Sequence, residues 1–307
     1  MMDVLPDSTK SGVSIVLITR NRVQFLVGAV ESLLAQNVQT LFEIIVVDNG
    51  STDETVAVVR EKFPGIRLIC LDENLGVSAG RDLGIREAQY DTVMFMDDDA
   101  LLESGQAVDM VFKFLAENPD VAVLAFRIVN DATGKILSHE FPRIGHTIRN
   151  PDVRQEVAYF VGCGFCLRRS VYESVGGFCL QMTYGPEEVD LSYRILEAGY
   201  RIVYFSDVTV RHRASPDVRR TGVWFRNEMQ ARFLLAVRNL PLWAAWVYMA
   251  VWHIRLFVAA LMTGNVRWYV QGIVDGWCDG FRYRHQRRAI SLGTAIKILR
   301  LGGRIFY

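Results

Sequence analysis

Four runs of aliphatic and β-branched residues punctuate the first hundred positions: VSIVLI (13–18), FEIIVVD (42–48), IRLICL (66–71) and DTVMFMD (91–97). They are close to continuously apolar rather than alternating, which is the pattern of strands covered on both faces. Stretches of helical period separate them, at 22–36, at 53–62 behind the cap-like Ser51-Thr52-Asp53, and at 77–89. Doubly covered strands joined by helices specify a mostly parallel central sheet, hence an α/β fold.

Ligands of such sheets gather beyond the carboxyl ends of the strands. Three polar clusters fall there: Thr19-Arg20-Asn21-Arg22, Asp48-Asn49-Gly50-Ser51 and Asp97-Asp98-Asp99. Three adjacent aspartates after a buried strand repel one another unless a cation sits among them. Strand alternation would send Asp97 and Asp99 to one side and Asp98 to the other. Paired carboxylates at a strand end suit Mg²⁺ or Mn²⁺, which take one or two protein carboxylates and fill their shells with water and substrate phosphates.

Beyond residue 100 the pattern becomes mixed. A helix is expected near 105–117 and a strand over VAVLAF (121–126), then a turn at Asn130–Lys135 and strand-like segments at 136–141 and 156–167. A helix over 186–198 closes at Gly199, before strands RIVYF (201–205) and DVTVRH (207–212). The lone CxxC, Cys163-Gly-Phe-Cys166, has no second pair to complete a zinc site, and the five cysteines read as buried reduced thiols. The chain is neutral overall, but from Arg211 to the end 16 Lys and Arg face 4 Asp and Glu, against 18 and 30 before it. The acidic front fits metal and substrate chemistry, and the basic tail fits anionic lipid, phosphate or the acidic half itself. No nucleic acid partner is expected.

Taken in order, SIVLITRNR (14–22), EIIVVDNGSTDET (43–55), ENLGVSAGRDLGI (73–85), VMFMDDDA (93–100), GPEEVDLSYRILEAGYRIVY (186–204) and VRH (210–212) resemble the family 2 inverting glycosyltransferases. The resemblance covers roughly residues 13–212. It implies a GT-A catalytic domain over 1–215, a nucleotide-diphosphate sugar donor, a divalent cation (Mn²⁺ or Mg²⁺) and a hydroxyl acceptor. By the same resemblance Thr19, Arg22, Asp48, Asn49, Asn74, Gly76, Arg81, Asp97 and Asp98 would bind the donor. Asp48 would take the base or ribose, although a plain Asx turn is the alternative. Arg81 would reach phosphate or pack as an exposed helix residue. Asp99 would be the direct metal ligand, joined by His212. Among Glu187, Glu188 and Asp190, Glu188 is the candidate general base and Asp190 its rival, because many relatives carry Glu-Asp or Asp-Asp where this chain has Glu187-Glu188. Acids in a first helical turn are also favoured without any catalytic role.

The remaining 216–307 reads as helical, basic and Trp-rich. Arg226 and Asn227 are candidate contacts for an acceptor or donor phosphate, or part of a solvated face. LWAAWVYMAVWHIRLFVAALM (242–262) is long enough to span a bilayer, but Arg255 near its middle makes insertion marginal. An interfacial anchor on an anionic cytoplasmic leaflet is expected, with a packed helical subdomain as the rival. MMDVLPDSTKSG is polar and the apolar SIVLI after it is too short for a leader, so a cytoplasmic, membrane-peripheral location is expected. The activity implied is hexosyl or deoxyhexosyl transfer to a saccharide or a polyprenyl- or lipid-linked acceptor in surface glycan synthesis. A nucleotidyltransferase is the second enzyme reading, but TRNRVQF lacks the glycines of its phosphate loop. A dehydrogenase fails for want of GxGxxG, and a non-catalytic saccharide-binding module would need the acids to be mere surface.

Overall fold

Strand β1 (Val13–Thr19) sends Val13, Ile15 and Leu17 into one core and Val16 into another, the period-two division that a sheet covered on both faces requires. The computed structural model describes residues 11–136, 141–142, 150–213, 221–303 and 305–306. Helix α1 (Val23–Leu34), β2 (Phe42–Asp48), α2 (Thr55–Lys62), β3 (Arg67–Cys70), α3 (Val77–Glu87) and β4 (Thr92–Asp97) follow in the order the sequence predicts. Strands β1 to β4 pair in parallel, with Thr19 opposite Asp48 and Ile18 opposite Asp97. The three polar clusters therefore emerge side by side at one edge of the sheet.

The second half departs from expectation in several places. Strand β4 stops at Asp97; Asp98 and Asp99 form a turn into a short strand not foreseen, β5 (Ala100–Leu102). After α4 (Ala107–Glu117), β6 runs through Val121–Asn130, four residues beyond the predicted strand. Of the strand-like 136–141, Ile136 makes an isolated bridge to Val129, and 137–140 lie outside the described residues. The predicted 156–167 strand is two elements, β7 (Gln155–Glu156) and β8 (Gly164–Arg168). Helices α5 (Arg169–Ser174) and α6 (Glu187–Glu197) precede β9 (Arg201–His212), a single strand where two were expected. Among the described residues the order is β3-β2-β1-β4-β8-β6-β9-β5, with β7 beside β9. Strand β8 is antiparallel to β4 and β6, so the sheet is mostly parallel and mixed at its second half.

The C-terminal helices are α7 (Gly222–Asn239), α8 (Leu242–Met262), α9 (Val266–Arg282) and α10 (Leu292–Arg300). They extend the core on the α6 side: Phe225, Met229, Tyr248, Leu256 and Ile298 join the same buried cluster as Phe95, Phe165 and Leu191. The joint between α6 and α7 is ionic. Asp190 is fully buried, accepts from Asn239 Nδ2 at 2.6 Å and Arg238 Nε at 3.3 Å, and pairs with Arg194 one turn along its own helix. Burial opposes its charge, but Arg194, Arg238 and Asn239 outweigh that and hold its pKa below the usual range.

Asp190→Ala would leave two arginines buried beside a void, and a loss of about 3–5 kcal/mol is expected in guanidinium unfolding. A change within experimental error would show that the joint is held by apolar contacts alone. Because the folded pKa lies below the unfolded one, this stabilisation is complete above the ordinary Asp pKa and vanishes as pH falls through the folded value. Asp190→Asn should accordingly flatten the acid side of the stability profile.

Candidate active site

A cavity of about 520 Å³ opens where the strand-end clusters meet. Thr19, Arg22, Asn49, Asn74, Gly76, Arg81, Asp97 and Asp98, eight of the nine donor-binding candidates, line it. Asp48 does not; it is 1% exposed behind the rim, where its Oδ2 accepts Ser51 N–H at 3.1 Å and its Oδ1 has no hydrogen-bond partner. Both readings of Asp48 thus have support, the Asx turn in one oxygen and a buried open acceptor in the other.

Asn49 secures the next loop, accepting from Leu75 N at 2.9 Å and donating to Gly76 O at 3.1 Å, while Asn74 Oδ1 accepts Gly76 N–H. Gly76 has φ +85°, and a Cβ there would lie 3.0 Å from Thr183. Only glycine lets this turn press against the 182–184 loop without strain.

The aspartate triplet does not follow strand alternation, because the turn after Asp97 rotates the next two residues. Asp98 and Asp99 both reach Arg22, through Asp98 Oδ1 at 2.9 Å and Asp99 Oδ2 at 2.5 Å. Asp98 also accepts from Thr19 Oγ1 at 2.8 Å, so its carboxylate is consumed inside the protein. Burial raises Asp98 to about 7 against the pull of Arg22 and Thr19. Burial would raise Asp99 as well, but His212 and Arg22 prevail and hold it at about 2. Asp97, recessed in the cleft, is raised to about 6 by desolvation, partly countered by Arg81.

Asp99 Oδ1 lies 3.3 Å from His212 Nε2, and oxygen, sulfur and nitrogen atoms of Asp97, Cys163 and His212 all fall within 4.8 Å of one another. Carboxylate oxygens and an imidazole grouped behind Asp97, which lines the cavity, form a donor set that fits a divalent cation such as Mn²⁺. Asp97, Asp99 and His212 are the residues that would hold it. Cys163 and Cys166 are buried thiols as expected, whereas Cys70 and Cys278 are exposed.

Arg81 is neither exposed nor open to a phosphate alone. It is 4% exposed and bridges Glu188 at 2.9 Å, Glu187 at 3.3 Å and Asp97 at 3.5 Å, donating as well to Gly162 O. Burial disfavours its charge, but Glu188, Asp97 and Glu187 together raise its pKa. A Cβ on Gly162 would sit 2.1 Å from Glu188 and 2.3 Å from Arg81, so this backbone must be bare. Of the three acids proposed as bases, Asp190 is sealed in the helix joint and excluded. Glu187 is 3% exposed with its pKa driven well up by burial and by Glu188. Glu188 lines a second cavity, of about 170 Å³, walled by Tyr159, Phe160, Arg232 and Tyr248. Arg226 pairs with Asp275 on α9, while Asn227 faces the main cavity.

Sequence reasoning missed Thr183, Tyr184, Thr221 and Trp224, which line the main cavity from the loop before α6 and the start of α7. The clue was available in Gly185-Pro186 and in Thr221, whose side chain caps α7 by accepting from Trp224 N–H. Cys163 beside His212 left no such trace, since the pair meets only through sheet pairing.

Comparison with known proteins identifies the family. An O-antigen chain rhamnosyltransferase of Salmonella anatum is 25% identical over 181 residues, 55% of this chain and 56% of that protein, so the match spans little more than half of its length. A glucosyl-dolichyl phosphate glucuronosyltransferase of Haloferax volcanii is 29% identical over 219 residues, covering 66% and 69%. Among solved structures, a mannosyltransferase from Pyrobaculum calidifontis in complex with GDP-Man and Mn²⁺ superposes with a TM-score of 0.55 at 20% identity, over 96% of this chain and 81% of that one. At that identity the likeness shows a common GT-A fold. Residues 14–176, more than half of the chain, match the family described as glycosyl transferase family 2. With the fold and the strand-end site as found, the chain belongs to glycosyl transferase family 2.

Proposed function

We propose that this glycosyltransferase moves a hexose or deoxyhexose from a nucleotide-diphosphate donor to a hydroxyl of a saccharide or lipid-linked acceptor, with inversion at the anomeric carbon. The observation that carries the reading is the position of Glu188, in the wall of the smaller cavity and joined through Arg81 to Asp97 in the larger one. The donor occupies the larger cavity, and the acceptor hydroxyl enters from the smaller. Glu188 accepts the hydroxyl proton as oxygen attacks the anomeric carbon. Arg81 keeps the carboxylate in place and balances its charge beside Asp97. Asp97, Asp99 and His212 would hold a divalent cation, which when bound would supply positive charge for the departing diphosphate. Arg22 and Thr19 fix the turn that presents Asp99. The Mn²⁺ complexes among the structural neighbours support a cation of this kind.

The surface-glycan role and lipid-linked acceptor are supported by the relatives' names, an O-antigen chain rhamnosyltransferase and a dolichyl phosphate enzyme. The C-terminal helices support a membrane-peripheral, cytoplasmic-face location. Helix α8 is long and apolar enough to cross a membrane by length and composition, and 28% of its most apolar window is buried. Its buried stripe is Ala244, Tyr248, Trp252, Leu256 and Ala260. Elsewhere on it Trp246 is 74% exposed, Ile254 66% and Met262 83%, and Val274, Trp277 and Phe281 add exposed apolar area on α9. Residues 242–307 carry nine Lys and Arg against two Asp, a balance suited to anionic lipid.

Glu188→Gln should lower transfer by about 10²–10⁴-fold, the usual worth of general-base assistance, while nucleotide-diphosphate binding by calorimetry is retained. Transfer at the wild-type rate would remove Glu188 from the chemistry. Asp99→Asn and His212→Ala should each weaken Mn²⁺-dependent binding of a nucleoside diphosphate, and EDTA should abolish transfer; transfer that persists in EDTA argues against the cation. On liposome flotation, wild type should rise with anionic vesicles at low salt and Trp246→Glu/Ile254→Glu should stay below. A wild-type protein that remains at the bottom with anionic vesicles refutes the membrane reading.

A further inference from the structure

The cation site assigned above contains an atom that a carboxylate-based reading does not call for. We propose that Cys163 is a ligand of this cation and that its sulfur biases the site toward Mn²⁺, Co²⁺ and Cd²⁺ over Mg²⁺. The inference rests on the cation reading of Asp97, Asp99 and His212 and adds a fourth side chain to it.

Geometry is the first argument. One ligand atom each from Asp97, Cys163 and His212 lies within 4.8 Å of the other two. An ion at the centre of such a triangle stands at most about 2.8 Å from each corner, and metal–ligand bonds of about 2.0–2.3 Å need only a contraction of about half an ångström. Asp99 Oδ1, 3.3 Å from the His212 ring, supplies the further donor. The arrangement is held by backbone rather than by mobile side chains. Asp97 N–H donates to Cys163 O at 3.2 Å, Met96 pairs with Gly164 in the β4–β8 register, and His212 pairs with Ala100 and Asn130. The end of β4, the residue before β8 and the end of β9 thus bring these three side chains together at one edge of the sheet.

Chemistry is the second. Mg²⁺ prefers oxygen ligands in near-ideal octahedra, whereas thiolate and imidazole donors favour later and softer metals. Binding an ion here displaces the Cys163 thiol proton to solvent, so no oxidant or reductant takes part. Among the described residues, the neighbouring Cys166, buried in the sheet core, has no carboxylate or imidazole grouped with it in this way.

The test uses the full chain titrated with Co²⁺ alone and read by absorption spectroscopy. Wild type should bind one Co²⁺ with a near-ultraviolet sulfur-to-cobalt charge-transfer band in addition to the weak visible ligand-field bands. Cys163→Ser should still bind Co²⁺, about tenfold or more weakly, without the charge-transfer band. Its preference for Mn²⁺ over Mg²⁺, measured by competition against Co²⁺, should shrink by a similar factor. The band should persist in Cys70→Ser/Cys278→Ser, which lacks the exposed thiols. Should wild type bind Co²⁺ in a manner that Asp99→Asn weakens but without that band, Cys163 is only a core filler and the carboxylate–histidine site stands. Should wild type bind no Co²⁺ at all, both the sulfur ligand and the cation site fall.

Discussion

Six carboxylates, Asp97, Asp98, Asp99, Glu187, Glu188 and Asp190, are packed at one edge of the sheet, and four arginines make that packing possible. Each arginine has its own work. Arg22 clamps the Asp98–Asp99 turn, Arg81 bridges Glu187, Glu188 and Asp97, and Arg194 and Arg238 enclose Asp190. Removing Arg22 or Arg81 would strand buried acids beside one another, at a cost of several kcal/mol. The arginines do not neutralise the edge completely. Asp97 stays raised to about 6 and Glu187 further above its ordinary value, so the site has residual appetite for positive charge. The divalent cation proposed beside Asp97 and Asp99 would meet that demand.

The same electrostatic arrangement ties the site to the helices behind it. Asp190 joins α6 to α7, and α7 brings Trp224 and Asn227 to the main cavity and Arg232 to the smaller one. Arg232 is itself held by Glu228 and Tyr248 and lies 3.8 Å over the Trp252 ring on α8. A continuous set of contacts therefore runs from the candidate base's cavity to the helix with the largest uncovered apolar surface. An acceptor with a lipid tail would find its sugar and its tail accommodated by neighbouring parts of one helical layer.

Much of this was legible in the sequence, and the parts that were not share a cause. The parallel half, β1 to β4, could be read because each strand is locally apolar and each polar cluster follows directly. Five of the donor-side candidates that line the larger cavity, Thr19, Arg22, Asn49, Asp97 and Asp98, stand in these clusters, whereas Asn74, Gly76 and Arg81 came from the family resemblance. The aspartate triplet was located correctly, but its side-chain directions were not, since nothing local signals that the strand ends at Asp97. Arg81 could be read as a phosphate contact or as an exposed helix residue, and its partners Glu187, Glu188 and Asp97 went unseen because they are remote in sequence or on another element. Asp190 and Arg226 carried motif-like appeal, yet their partners on α7 and α9 were invisible without tertiary structure. Cys163 was set aside by cysteine counting, which weighs spacing along the chain and is blind to a histidine forty-nine positions away.

On the reading proposed here, the acidic strand edge holds a divalent cation that faces the diphosphate of a donor. Crystals grown with MnCl₂ and a nucleoside diphosphate, with data collected at the manganese absorption edge, test it most directly. The account predicts one strong anomalous peak bounded by Asp97, Asp99 and His212, with the diphosphate beside it in the larger cavity. An ordered nucleotide in that cavity with no anomalous peak at those residues, or a peak and nucleotide lodged elsewhere, would contradict it.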